Sequence, residues 1–160
     1  MLKRLLTIGL LMGSGIAMAS GKCEFAGSAS IGVLEFTGTG CTIEGKPAIA
    51  AGKVSGEFTV DLTKLEAGVR SEHMHEKYLE TKKFPKAILK LDPMVEDGGK
   101  FTGKMTLHGV EKPIEGVSNK SSIGWSFAIK LNTKDFGITQ ASYKGITVAD
   151  IIIITGSIDR

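Results

Sequence analysis

Residues 87–109 read "AILKLDPMVEDGGKFTGKMTLHG". Two runs of alternating apolar and polar residues flank "EDGG" at 96–99, an acidic, glycine-rich turn between β-formers. That is the pattern of a β-hairpin. In its second arm Phe101, Met105 and Leu107 share one face, while Thr102, Lys104 and Thr106 take the other. "HGVEKP" at 108–113 turns the chain again. The same period of two recurs outward from this hairpin. In "KVSGEFTVD" (53–61) Val54, Phe58 and Val60 oppose Lys53, Ser55, Glu57, Thr59 and Asp61. In "SIGWSFAIKL" (122–131) the apolar set is Ile123, Trp125, Phe127, Ile129 and Leu131. Strands with one wet and one apolar face belong to antiparallel sheets. The last run, "GITVADIIIITGSI" (145–158), is apolar on both faces around Ile151–Ile154 and is expected to be a central strand covered on both sides. Many short-spaced strands joined by turns predict an all-β antiparallel barrel or sandwich, with an interior either filled or enclosing a ligand.

The N-terminus is of another kind. "MLKR" is a short basic segment, and "LLTIGLLMGSGIAMA" is an apolar run ending in Ala17-Met18-Ala19. This is the pattern of a secretory signal peptide spanning 1–19, cleaved after Ala19. The run is short for a membrane span and is interrupted by Gly9, Gly13, Ser14 and Gly15. Lys22 before Cys23 speaks against lipid attachment. The mature chain, residues 20–160, is thus expected to be one soluble domain, periplasmic or secreted. Without Lys3 and Arg4, 18 of the 20 basic side chains remain against 17 acidic ones, and the formal charge falls from +3 to +1. With no basic block interleaved with aromatics, the composition points away from nucleic acid, and equally from a charged membrane-binding surface.

Cys23 and Cys41 are the two cysteines. In an exported chain they are expected to form a disulfide between neighbouring strands, with a metal thiolate pair or a reactive thiol as alternatives that no C-x-x-C pattern supports.

Residues 69–87, "VRSEHMHEKYLETKKFPKA", interrupt the alternation. A helix is expected over 68–80, bounded by Gly68 and by the break before Pro85. On a helix His73 and His75 lie about 200° apart, so they do not share a metal ion. Ser71, Met74, His75, Tyr78 and Leu79 then form the covered arc, and Arg70, His73, Glu76 and Lys77 the solvated one. His75 is either a satisfied edge residue or a polar group facing a ligand head, and His108 is read as a structural turn residue. An extended "HMH" would turn both rings one way, with Glu72 or Glu76 adding a carboxylate. No nucleophile elbow, H-E-x-x-H, phosphate loop or cysteine–histidine signature occurs. Asp61, Asp135 and Asp150 stand alone at strand ends and turns, where aspartate caps backbone. No enzyme, cofactor or resident metal is expected.

"DLTKLEAGVRSEHMHEKYLETKKFPKA" (61–87) followed by "GKMTLHGVEKPIEG" (103–116) resembles the YceI-like family of exported, lipocalin-like proteins. The likeness rests on Asp61-Leu62, Gly68, Arg70, His73-Met74, Tyr78-Leu79, Phe84-Pro85, the Leu107–Val110 hairpin and Lys112-Pro113, and covers residues 52 to 158. It implies a barrel of about eight antiparallel strands with one short helix near its mouth, enclosing a long apolar ligand such as a polyisoprenoid, an isoprenoid quinone or another lipid. On that basis Phe58, Val60, Phe101, Met105, Trp125, Phe127 and Ile129 are expected in the interior wall, and Met74, Tyr78 and Phe84 at the mouth. His75 is the candidate for the ligand head. The segment "GKCEFAGSASIGVLEFTGTGCTIEGKPAIAA" (21–51) departs from the family by being short and glycine-rich, and its strands are expected to be short. The leading reading is a carrier that sequesters lipid without catalysis and without stable membrane insertion, the choice between monomer and dimer being left open. The rivals are an exported metal-binding protein using His73 and His75, with a carboxylate or His108, and a secreted interaction module with a filled core.

Overall fold

The structure, a computed structural model, describes residues 18–29 and 35–160. The leader expected at 1–19 therefore lies almost wholly outside the described residues. Among the described residues the strands are β1 (Ala19–Ala29), β2 (Glu35–Ala50), β3 (Lys53–Asp61), β4 (Lys86–Val95), β5 (Gly98–Leu107), β6 (Val110–Lys120), β7 (Gly124–Asn132), β8 (Ser142–Tyr143) and β9 (Ile146–Asp159). Each of β1 to β7 pairs antiparallel with the next, and β9 pairs with both β7 and β1. Eight strands therefore close a ring, which removes the exposed edges of an open sheet. The two residues of β8 pair with the start of β9.

The turns carry the predicted chemistry. Glu96 and Asp97 separate β4 from β5, and Gly98 and Gly99 have φ of 99° and 129°. His108 (φ 53°) and Gly109 (φ 75°) join β5 to β6 in a two-residue turn whose positive angles match strand twist. The alternation holds in β3, β5 and β7, where Val54, Phe58, Phe101, Met105, Leu107, Trp125, Ile129 and Leu131 are buried. Ile123 departs from it. This residue precedes β7 in the turn and is 65% exposed. The last strand is not covered on both sides. Ile152 and Ile154 turn inward, while Ile151 and Ile153 stand exposed on the outer face.

The N-terminal strands are not short: β1 has 11 residues and β2 has 16. Two of their glycines, Gly38 and Gly45, serve as flat wall beneath aromatic rings, as do Gly116 of β6 and Gly156 of β9. Phe25 pairs across the ladder with Gly38, Phe58 with Gly45, Phe101 with Gly116 and Phe127 with Gly156. At each of these four glycines an added Cβ would fall within 2.6 Å of its partner ring. Each ring thus lies on the bare backbone of the neighbouring strand, an arrangement that compensates a strand glycine.

One end of the barrel is shut. The Trp125 indole N–H donates to the Glu96 carbonyl oxygen at 2.8 Å. The Glu96 carboxylate meets Lys120 Nζ at 2.9 Å and Arg160 Nη1 at 3.1 Å. The Arg160 guanidinium lies 5.8 Å from the centre of the Trp125 ring, within cation–π range.

Candidate binding cavity

Above that floor runs a cavity of about 230 Å³. Every strand of the eight-membered ring contributes to its wall. Of the expected wall residues Phe58, Val60, Phe101, Met105, Trp125, Phe127 and Ile129 all border it. Met74 and Tyr78 border it at the far end. Phe25 and Leu89 also line it, and neither stood among the expected residues. The wall residues are short of polar atoms because alternation sends Lys, Glu and Thr outward. Within β6 the inward glycine and the buried Ser118 leave space where a larger side chain would stand.

Cys23 and Cys41 face each other in register and form a disulfide, their Cα atoms 5.3 Å apart. Both are buried and lie in the cavity wall, so the bridge is screened from bulk solvent. It joins β1 to β2 at the irregularity between Cys23 and Phe25.

The far end is framed by one helical turn, α1 (Ser71–His73), that widens into a π-helical turn (Met74–Tyr78). The Met74 N–H reaches back four residues to the Arg70 carbonyl at 2.9 Å, but the Leu79 N–H reaches back five, to Met74, at 2.9 Å. This widening changes which side chains share a face. At 3.6 residues per turn His73 and Tyr78 would stand about 140° apart. Instead their rings meet edge to face at 6.0 Å, and both border the cavity with Met74, Leu79 and Arg70. The Tyr78 hydroxyl donates to the Ser142 carbonyl and accepts from the Ser142 N–H, both at 2.8 Å. This pair of bonds ties the helical segment to the chain leading into β8.

His73 and His75 thus exchange their expected positions. The half-buried His75 does not border the cavity. Its Nδ1 meets the Thr81 hydroxyl at 2.8 Å and its Nε2 donates to the Leu65 carbonyl at 2.7 Å, so both ring nitrogens serve the fold. Phe84 also stands apart from the cavity. Its ring lies 4.7 Å from that of His108 and over Gly109. His108 is the turn residue expected, with Nε2 at 2.6 Å from the Glu80 carboxylate and Nδ1 at 3.3 Å from the Phe136 carbonyl. Among the described residues no three His, Cys, Asp or Glu side chains gather to hold a metal ion. Asp61 caps its own strand end, accepting from the Thr63 hydroxyl at 2.7 Å and the Thr63 N–H at 2.9 Å. Those two bonds, the hydroxyl's first, hold its carboxyl below the ordinary carboxylate value.

A closed antiparallel barrel with a shut floor, an apolar lumen and a helical segment across its other end defines a small-molecule binding barrel. The YceI-like domain profile matches residues 16–159, and the chain belongs to that family. The match takes in β1 and β2, beyond the 52–158 covered by the sequence likeness. Among curated protein sequences none matches this chain. Solved structures similar in fold include two that span most of this chain. A polyisoprenoid binding domain from Saccharophagus degradans, implicated in plant cell wall breakdown, superposes with a TM-score of 0.66 at 14% identity, over 89% of this chain and 97% of that one. Burkholderia cenocepacia BcnA gives 0.64 at 15% identity, over 86% of this chain and 94% of its own. Among the described residues no helix is long and apolar enough to cross a membrane.

Proposed function

We propose that this protein is an exported carrier that holds a long, slim apolar molecule of the polyisoprenoid or related lipid class inside its barrel, without catalysis. The observation that carries the reading is the cavity, whose wall draws apolar side chains from the strands of a closed ring. At about 230 Å³ it lies just under the usual range for small-molecule pockets, about 300–1,000 Å³, which suits one narrow chain better than a bulky ring system. Each methylene taken from water contributes about 0.8 kcal/mol before the entropy of association is subtracted. The ligand of the Saccharophagus degradans neighbour agrees in class. Export is supported by the basic–apolar N-terminus with its small-residue end at Ala19, and by a disulfide, which persists in oxidising compartments. Native mass spectrometry of protein purified from an exporting host without detergent tests this. The mature mass from Ser20 with an extractable lipid adduct is the expected result. A bare mass that also fails to take up added isoprenoids would overturn the carrier reading.

A further inference from the structure

We infer that His108 is a pH-sensitive tie, which fastens two segments framing the cavity while its ring is charged and slackens them once the ring is neutral. The tie stands on geometry alone, and its effect on a bound molecule rests on the carrier reading. Among the described residues four non-glycine residues have positive φ, and two of them are His108 at 53° and Glu80 at 45°. Such a backbone costs conformational energy and persists only where its surroundings hold it. Here the two residues hold each other, His108 Nε2 lying 2.6 Å from the Glu80 carboxylate. The other ring nitrogen, Nδ1, faces the Phe136 carbonyl oxygen at 3.3 Å. Glu80 closes the helical segment whose Met74, Tyr78 and Leu79 border the cavity. Phe136 ends a 3-10 turn (Thr133–Phe136), and Thr133 and Ile138 on either side of it border the cavity too.

Both partners of the ring accept. A neutral imidazole has a single N–H, so one of its nitrogens would turn a lone pair towards a carboxylate or a carbonyl oxygen. The charged ring donates from both nitrogens and satisfies both. His75 supplies the contrast, since the Thr81 hydroxyl donates to its Nδ1 while its Nε2–H serves Leu65, and a neutral ring suffices. The His108 side chain is 15% exposed and packs on the Phe84 ring at 4.7 Å, so water has little access to replace a lost bond. The remaining charges nearby are exposed or engaged elsewhere. Lys83 is exposed, with its Nζ 5.0 Å over the Phe84 ring. In the 3-10 turn Lys134 holds Asp150 at 2.7 Å, and Asp135 is exposed. Beyond the β5–β6 turn Glu111 lies 3.9 Å from Lys90 and 3.8 Å from Lys104, and Lys112 is exposed. Glu80 is therefore the charge that the ring answers.

Two variants test the tie. Glu80→Gln keeps the side-chain length and offers an amide N–H to a neutral Nε2, so it suits the ring in the form that the parent does not. His108→Asn removes the ring at a backbone angle that asparagine tolerates. Urea denaturation of the parent and both variants is compared at about pH 5.5 and about pH 8.5, a window above the ordinary carboxylate range and across that of histidine. His73 and His75 are common to all three proteins and cancel in the comparison. The folding equilibrium constant of the parent relative to each variant is expected to fall about tenfold over this window, the difference between a charge-assisted and a neutral hydrogen bond. Release of geranylgeraniol, a neutral probe, is followed by Trp125 emission. It is expected to quicken with pH in the parent and to stay constant in His108→Asn. A ratio that does not change with pH for Glu80→Gln overturns the tie. A falling ratio with constant release in the parent overturns its hold on the bound molecule. A falling ratio in a protein that takes up no geranylgeraniol supports the tie and overturns the carrier reading.

Discussion

Replacing Gly38 by alanine isolates the feature that keeps the lumen open. The Phe25 ring lies on the Gly38 backbone, and a Cβ added there would stand 1.9 Å from Phe25 Cε1 and 2.1 Å from Cζ. Ordinary contact begins at 3.4 Å, so the ring must retreat by about 1.5 Å. All three of the nearest atoms belong to that ring, and the strand itself is not in the way. The ring cannot pass through the sheet, and the free direction is inward, towards the cavity it already borders. Overpacking of this kind costs about 1–3 kcal/mol of stability. A ring displaced into the lumen takes the space of about three methylenes at about 0.8 kcal/mol each, or roughly 50-fold in Kd. Titration with a fluorescent polyene fatty acid measures the loss, and a denaturant curve measures the stability. Adding Phe25→Ala to Gly38→Ala is expected to restore binding, since the displaced ring is then gone. Unchanged Kd in a well-folded Gly38→Ala protein would refute the claim that ring-on-glycine packing holds the cavity open.

His75→Ala leaves the Thr81 hydroxyl and the Leu65 carbonyl unpartnered and is expected to lower stability by about 2 kcal/mol, with chain binding unchanged; paired thermal melts and ligand titrations check this. Asp61 has a depressed folded-state pKa, so its contribution is present above the ordinary carboxylate value near pH 4 and is lost as pH falls through the folded value. The stability difference between parent and Asp61→Asn is therefore expected to be constant at neutral pH and to vanish on acidification, as followed by urea denaturation between about pH 6 and pH 2. Replacing Cys23 and Cys41 together by alanine opens a loop with a separation of 18 residues, and is expected to cost about 3 kcal/mol in the same assay.

Strands and turns were legible because they are local. The period of two in 53–61 and 100–107 needs only neighbouring residues, and so does the turn chemistry at 96–99 and 108–109. The floor was not legible, since Glu96 meets Arg160 across 64 positions. The helical end misled for a different reason. A single i→i−5 bond at Leu79 moved His73 onto the cavity face, while His75 went to Thr81 and Leu65. No periodicity in "SEHMHEKY" announces that widening. The glycines of β1 and β2 read as interruptions because a glycine's role depends on the residue across the ladder. That register appears only when the barrel closes. Counting does not recover it either, because among the described side chains only four of the many strand glycines, Gly38, Gly45, Gly116 and Gly156, stand opposite an inward phenylalanine.

The size of the void decides between a filled core and a binding barrel. Cavities left in a protein core cost about 24 cal/mol per Å³, so an empty one of about 230 Å³ is worth on the order of 5 kcal/mol. That is comparable with the whole stability of many domains. At Gly38 a methyl would meet only the Phe25 ring and drive it inward, whereas at Gly45, Gly116 and Gly156 it would also meet a backbone oxygen of a neighbouring strand. The chain instead carries glycine opposite four of its inward rings, and braces the wall with a disulfide between β1 and β2. Packing alone selects against such an arrangement. An occupant that removes the void and buries its own apolar surface turns the same space from a cost into a source of stability. A filled-core interaction module has no use for that wall, whereas a lipid carrier requires it.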